Sequence, residues 1–284
     1  MNPTELADYL SSNNVALKKS LSQNFLIDKN IRNKILQAAQ ITSNDVVLEI
    51  GPGSGSLTKE ILKQQVYVLA IEKDRHFAKA LQNMDAENLE VIETDFLTYP
   101  LENKLDQLLR LKNKEQIKII ANIPYQITSP ILAKILPLFP WIESATLMVQ
   151  EEVAKRIIAK EGTKTYGRLS IFCQFFSRPT YLFPVSPNCF FPKPKVNSAV
   201  VHFALNKPNS RISKEQYPSF FRFIQKAFQS RRKTFINSIK ELYPTEKIRE
   251  VLIKFGISFD VRSEKLSLND FLSLFINLSP YSTK

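Results

Sequence analysis

Glycine is scarce in this chain, with six among 284 residues, and there are only two cysteines, two histidines and one tryptophan. Two isolated thiols, Cys173 and Cys189, make neither a disulfide framework nor a four-cysteine zinc site. Set among apolar and aromatic neighbours, they read as inert and reduced. His76 and His202 lack an acidic or cysteine partner at ligand spacing, so no metal is expected. No apolar run approaches the roughly 18 residues that span a bilayer. The first ten residues carry Glu5 and Asp8, without the basic start and apolar stretch of a signal peptide. These absences lead to the expectation of a cytoplasmic protein that uses neither metal nor membrane. Hydrophobic residues at 44% and charged residues at 23% suit a chain that buries a core. Its length suits one α/β domain and a smaller companion, at about 100 to 200 residues per domain.

The charge is unevenly placed. Residues 1–150 hold 16 Lys and Arg against 17 Asp and Glu, whereas residues 151–284 hold 23 against 10. The net charge of +12 therefore comes entirely from the second part. A one-sided basic excess favours a polyanionic partner, because each phosphate neutralised releases condensed counterions.

Short apolar runs alternate with helical patterns from Val46 onward, which predicts βα units and a parallel sheet. The expected strands are Val46 to Ile50, Val66 to Ile71, Leu89 to Ile92, Ile117 to Ala121 and Ala145 to Val149. Tyr181 to Val185 and Ala199 to Leu205 are joined by a loop too short for a crossover helix, so they predict an antiparallel hairpin at the sheet edge. Asn206 to Ser210 reads as a linker. The resulting division is an α/β domain over 1–205 and a small helical, basic domain over 206–284. Phe220, Ile224, Phe228, Phe235 and Ile239 recur near helical spacing, which would leave Arg222, Lys226, Arg232 and Lys233 on other helix faces. Further on, Gly256 is a natural residue to end a helix, and Ser267 with Asp270 resembles a capping box.

Three of the six glycines fall in Gly51-Pro52-Gly53-Ser54-Gly55, directly after the first expected strand. Glycines there let the backbone turn tightly and approach a ligand. Ser56 stands where the dinucleotide fingerprint wants glycine or alanine, which disfavours NAD. Glu72 closes the next strand, where a carboxylate can accept both ribose hydroxyls of an adenosine. Asp95 follows the third strand and could take an adenine amino group, with Phe96 packing on the ring. After the fourth strand comes Asn122-Ile123-Pro124-Tyr125, which resembles the N-x-P-Y motif of amino-methyltransferases and so implies an amino nitrogen, such as that of adenine, as the methyl acceptor. An adenine amino nitrogen is a poor nucleophile, because its lone pair is delocalised into the ring. Two acceptors, the Asn122 side-chain oxygen and the Pro124 carbonyl, would hold its N–H groups and stabilise the charge that develops during attack. Tyr125 would stack on the extruded base.

These segments, with Ser20-Leu21-Ser22-Gln23-Asn24-Phe25-Leu26-Ile27-Asp28, Tyr166-Gly167-Arg168-Leu169-Ser170 and Phe190-Phe191-Pro192-Lys193-Pro194-Lys195-Val196-Asn197-Ser198, occur in order along nearly the whole chain. Together they resemble the bacterial small-subunit rRNA adenine N6-dimethyltransferases. The resemblance implies a Rossmann-like class I methyltransferase sheet with a helical C-terminal domain, using S-adenosylmethionine and releasing S-adenosylhomocysteine. It implies cofactor contacts from Gln23, Asn24, Leu26, Gly51, Gly53, Gly55, Glu72, Lys73, Asp95, Phe96 and Asn122. Catalytic roles fall to Asn122, Pro124, Tyr125 and Phe190, the last as a second base-stacking ring beside Phe191. RNA contacts fall to Arg231, Arg232, Lys233, Lys193 and Lys195. The implied substrate is a pair of adjacent adenosines in the 3′-terminal hairpin loop of small-subunit rRNA, in the small ribosomal subunit or its precursor, and the enzyme is expected to be a monomer. Two other readings share some of this signal: a large-subunit rRNA methyltransferase of the antibiotic-resistance type, and an assembly factor whose methylation is dispensable. Ser54 and Ser56 replace residues that are often Leu and Ala, and Gln126 stands where Asn is common.

Overall fold

The computed structural model describes residues 24–205 and 211–282. Gln23, the start of the Ser20 motif, the acidic N-terminal segment and the linker at 206–210 lie outside the described residues.

Contacts divide the chain into two compact units, Met1–Ala154 with Arg178–Asn206, and Lys155–Ser177 with Lys207–Lys284. In the first unit, the order along the chain is β1 Phe25–Leu26, α1 Lys29–Ala39, β2 Val46–Ile50, α2 Ser56–Leu62, β3 Tyr67–Glu72, α3 Arg75–Gln82, β4 Leu89–Glu93, α4 Leu101–Lys112, β5 Ile117–Asn122, α5 Thr128–Ile135 and β6 Ile142–Gln150. Helix α6, Glu151–Ile157, leads into the second unit, and β7 Ser177–Val185, β8 Phe190–Phe191 and β9 Ser198–Leu205 return to the first. Seven strands form one sheet in the order β4-β3-β2-β5-β6-β9-β7. Strands β2 to β6 pair in parallel, and β9 runs antiparallel to β6. The pair expected as an edge hairpin does complete this side of the sheet. It is β9 that enters between β6 and β7, leaving β7 at the edge.

Strand β2 is buried at all five positions, Glu49 among them, as a strand flanked by parallel neighbours should be. Because parallel strands send their carboxyl ends to one side, the turns after β2, β3, β4 and β5 gather there. A second sheet of two strands went unforeseen: β1 pairs antiparallel with β8, Phe25 opposite Phe191 and Leu26 opposite Phe190. Two residues are too few to show any alternation.

The second unit holds helices α7 Arg168–Phe176, α8 Tyr217–Ala227, α9 Phe235–Ile239, α10 Thr245–Lys254 and α11 Leu268–Leu278. Residues 155–177 belong here, so the α/β unit does not run unbroken to 205. The reason is aromatic packing. Phe175 meets Tyr217, Phe220 and Phe221 at centroid distances of 5.1, 5.4 and 5.3 Å. Such offset and edge-to-face contacts each add about 0.5–1.5 kcal/mol beyond burial. Tyr166, buried, donates its hydroxyl to the Leu266 carbonyl at 3.0 Å. The Tyr166 motif therefore holds this unit together.

Arg231, Arg232 and Lys233 are exposed, but they sit in a turn rather than on a helix face. Helix α8 stops at Ala227, and Thr234 caps α9 by accepting the Asn237 N–H. Phe228 and Phe235 are seven residues apart, two helical turns, so periodicity bridges the break. The signals at Gly256 and Ser267 are met. Gly256 follows α10 at φ +64°, and Ser267 accepts the Asp270 N–H at 3.1 Å while Asp270 accepts that of Ser267 at 2.9 Å. Among the described residues, no helix is long and apolar enough to cross a membrane.

Candidate active site

A cavity of about 280 Å³ opens at the carboxyl ends of β2 to β5. Its wall brings together Asn24, Leu26, Gly51, Gly53, Glu72, Lys73, Asp95, Phe96, Asn122, Pro124 and Tyr125. Asn24 and Asn122, 98 residues apart in sequence, thus meet in one place.

The glycine turn is built on left-handed backbone. Gly51 has φ +65°, and a Cβ there would meet nothing within 4 Å, so the space beside its backbone is open. Gly55, assigned to the cofactor from its place in the motif, is not on the cavity wall. A Cβ on it would come within 2.7 Å of the Leu81 and Met84 side chains, so its smallness serves packing instead. Ser56, where alanine is usual, donates to the Leu26 carbonyl at 3.1 Å and ties α2 to β1.

Glu72 is buried at the end of β3. Its carboxylate oxygens accept the Gly53 N–H at 2.9 Å and the Asp74 N–H at 2.7 Å. Burial raises its pKa, opposed by those two N–H donors. At the end of β4, Asp95 accepts from Leu97 N–H at 2.9 Å and from the Lys73 ammonium at 2.8 Å. The Lys73 contact, then the Leu97 N–H, hold its carboxyl below the ordinary value. Phe96 is buried against the cavity.

Asn122 closes β5 and is anchored at one end. Its amide nitrogen donates to the Asn24 carbonyl at 3.0 Å, leaving Oδ1 as its remaining acceptor in the cavity wall. The Pro124 carbonyl accepts the Ile127 N–H at 3.1 Å, which occupies one of its two lone pairs. The Tyr125 hydroxyl is hydrogen-bonded to the Ser198 hydroxyl at 2.6 Å, which fixes the ring at the wall.

Phe190 departs from its assignment. It is 1% exposed, within the core cluster that contains Leu26 and Val200, and is absent from the cavity wall. Successive strand residues face opposite ways, so Phe191 is the exposed member at 37%. In this arrangement Phe190 is a core residue. Lys193 and Lys195 are exposed on the loop before β9.

Two residues were missed. Lys134 carries no pattern that would reveal it. Glu49 lines the cavity two residues before the glycine turn, and a carboxylate inside the apolar run Val46 to Ile50 was a readable signal. Its Oε2 is buried with no hydrogen-bond partner among the described residues. An orphaned buried carboxylate oxygen in the wall suits a cationic ligand, and the open space at Gly51 and the two carboxylates suit an adenosine. The residues present therefore fit S-adenosylmethionine.

Burial, and then the nearby Glu72 carboxylate, push the Glu49 pKa from 4.5 up to about 8. The folded, ligand-free protein then keeps a proton that the unfolded chain releases. This contribution is complete below the unfolded value and disappears as pH rises through the folded one. Unfolding stability of the ligand-free protein is accordingly expected to fall by on the order of 4 kcal/mol from about pH 5 to 9, with Glu49→Gln flattening the profile. Urea titrations along that range check it; parallel profiles for the two proteins would remove Glu49 as the cause.

One antiparallel strand let into an otherwise parallel sheet, with the ligand-facing turns gathered at one edge, is the fold of class I S-adenosylmethionine-dependent methyltransferases. The family described as ribosomal RNA adenine dimethylase matches residues 14–279. The chain belongs to that family.

Curated relatives named Ribosomal RNA small subunit methyltransferase A include one from Chlamydia trachomatis, 42% identical over 95% of both chains. Another, from Protochlamydia amoebophila, is 41% identical over 97% of this chain and 96% of its own. Among solved structures, a dimethyladenosine transferase from Plasmodium falciparum has a TM-score of 0.75 at 28% identity, covering 90% of this chain and 98% of that one. The 23S rRNA methyltransferase ErmE has a TM-score of 0.66 at 26% identity, covering 90% and 100%.

Proposed function

We propose that this protein dimethylates the N6 of two adjacent adenosines in the 3′-terminal hairpin loop of small-subunit rRNA. It would act as a cytoplasmic monomer on the small subunit or its assembly precursor, with a role in small-subunit biogenesis. The observation that carries the reading is Asn122, whose amide nitrogen is anchored by the Asn24 carbonyl so that Oδ1 remains an acceptor in the cavity wall that Pro124 also lines.

S-adenosylmethionine supplies an electrophilic methyl group when bound. Glu72 holds the ribose hydroxyls, Asp95 and Phe96 the adenine, and Asn24, Leu26, Gly51, Gly53 and Lys73 complete that wall. Asn122 Oδ1 and the Pro124 carbonyl accept the two N–H groups of the substrate adenine. They draw the nitrogen towards a pyramidal geometry and stabilise the positive charge it acquires. Each transfer would leave S-adenosylhomocysteine and release one proton from the nitrogen to solvent; the monomethylated amine, with one N–H left for the two acceptors, would take the second methyl to give N6,N6-dimethyladenine. Tyr125 stacks on the extruded base, a contact worth roughly 1–3 kcal/mol. Arg231, Arg232, Lys233, Lys193 and Lys195 contact phosphates, which positions the RNA without reading its sequence.

The test is incubation with radiolabelled S-adenosylmethionine and undermethylated small subunits, followed by mapping of the modified bases. Label is expected on two adjacent adenosines near the 3′ end. Label at other bases of the small-subunit rRNA, or no transfer, would refute the assignment.

A further inference from the structure

The segment between β4 and α4 folds as a single turn. The Asp95 carbonyl accepts the N–H groups of Thr98 and Tyr99, both at 3.1 Å, and its carboxylate accepts that of Leu97. Such a turn resembles the carboxyl end of a helix, whose carbonyls attract a cation. Here three carbonyls accept from one ammonium: Lys134 Nζ lies 2.6 Å from Phe96 O, 3.0 Å from Leu97 O and 2.5 Å from Tyr99 O. An ammonium has three N–H bonds, so all its donors are committed. The same nitrogen stands 5.1 Å from the Phe96 ring centroid. Lys134 is in α5, which begins three residues after Tyr125, and Ile131 on that helix lines the cavity with Asp95, Phe96 and Leu97.

We propose that Lys134 is a positioning residue for the cofactor. It ties the turn that presents Asp95, Phe96 and Leu97 to the helix behind Asn122–Tyr125, so the wall for the adenosine end keeps its place relative to the methyl acceptor. Lys134 touches neither substrate nor cofactor. This deepens the S-adenosylmethionine reading and rests on it. Charge-assisted bonds to three carbonyls of a short turn restrict it far more than one neutral bond would.

The experiment measures S-adenosylhomocysteine binding by calorimetry, hydrogen exchange of amides 97–99 in the ligand-free protein, and steady-state kinetics. Lys134→Met is expected to raise Kd about tenfold or more and to accelerate exchange at those amides, with kcat at saturating cofactor changed by less than about threefold. Lys134→Arg, which keeps a cation with several N–H donors, should restore most of the affinity. Should Lys134→Met fail to fold, Lys134→Gln, with two N–H donors for three carbonyls, is expected to bind with intermediate affinity. A lower melting temperature with Kd within about twofold of wild type would make Lys134 a structural anchor only and overturn the inference. Wild-type protein that bound no S-adenosylhomocysteine would overturn the cofactor reading itself, a separate result.

Discussion

Replacing Asn122 by alanine is expected to slow methyl transfer by about two decades or more while S-adenosylmethionine still binds, in line with the loss of one preorganised electrostatic contact. The change removes the Oδ1 acceptor and also the donor that engages Asn24 O across 98 residues. Asn122→Asp separates the two. It retains an acceptor, but a carboxylate beside the Asn24 carbonyl has no hydrogen to donate and repels it. That variant should therefore fall nearly as far as alanine. Asn122 is only half-buried, so both proteins should melt near wild type. Single-turnover transfer to undermethylated subunits, with calorimetry for cofactor binding, provides the check. An alanine variant of near-normal rate would strip Asn122 of its role.

Phe190→Ala should cost about 3–5 kcal/mol of stability, the usual result of emptying a fully buried aromatic site. At roughly 2–4 °C per kcal/mol for a chain of this size class, the melting temperature should fall by on the order of 10 °C. Phe190→Leu keeps most of the packing against Leu26 and Val200 and should recover much of the loss. Phe191→Ala removes an exposed ring and should leave the melting temperature almost unchanged. Thermal melts and transfer assays on the three variants decide between core and base-stacking roles. A Phe190→Leu protein that melts normally yet transfers poorly would return the stacking role to Phe190.

Much of the candidate site's placement was readable in advance because it is local. The glycine turn, Glu72, Asp95 and Asn122 each stand at or just beyond the carboxyl end of a strand, and parallel strands place all such positions at one edge of the sheet. Caps were readable for the same reason, since Ser267 and Asp270 satisfy each other within one turn. Positions that depend on distant partners were not readable. Gly55 has the motif's spacing, yet its neighbours are Leu81 and Met84. Arg231 to Lys233 follow a helical period across a turn that Thr234 terminates.

The order of apolar and polar residues by itself determined the parallel sheet and the strand ends at which the glycine turn, Glu72, Asp95 and Asn122 gather, because each depends on periods and turns of a few residues. Only the tertiary structure decided which of two adjacent phenylalanines enters the core, that residues 155–177 join the helical unit, and that Lys134 grips a turn some 35 residues earlier. Burial and long-range hydrogen bonds are set by neighbours that come together only once the chain has folded, and no local pattern encodes them.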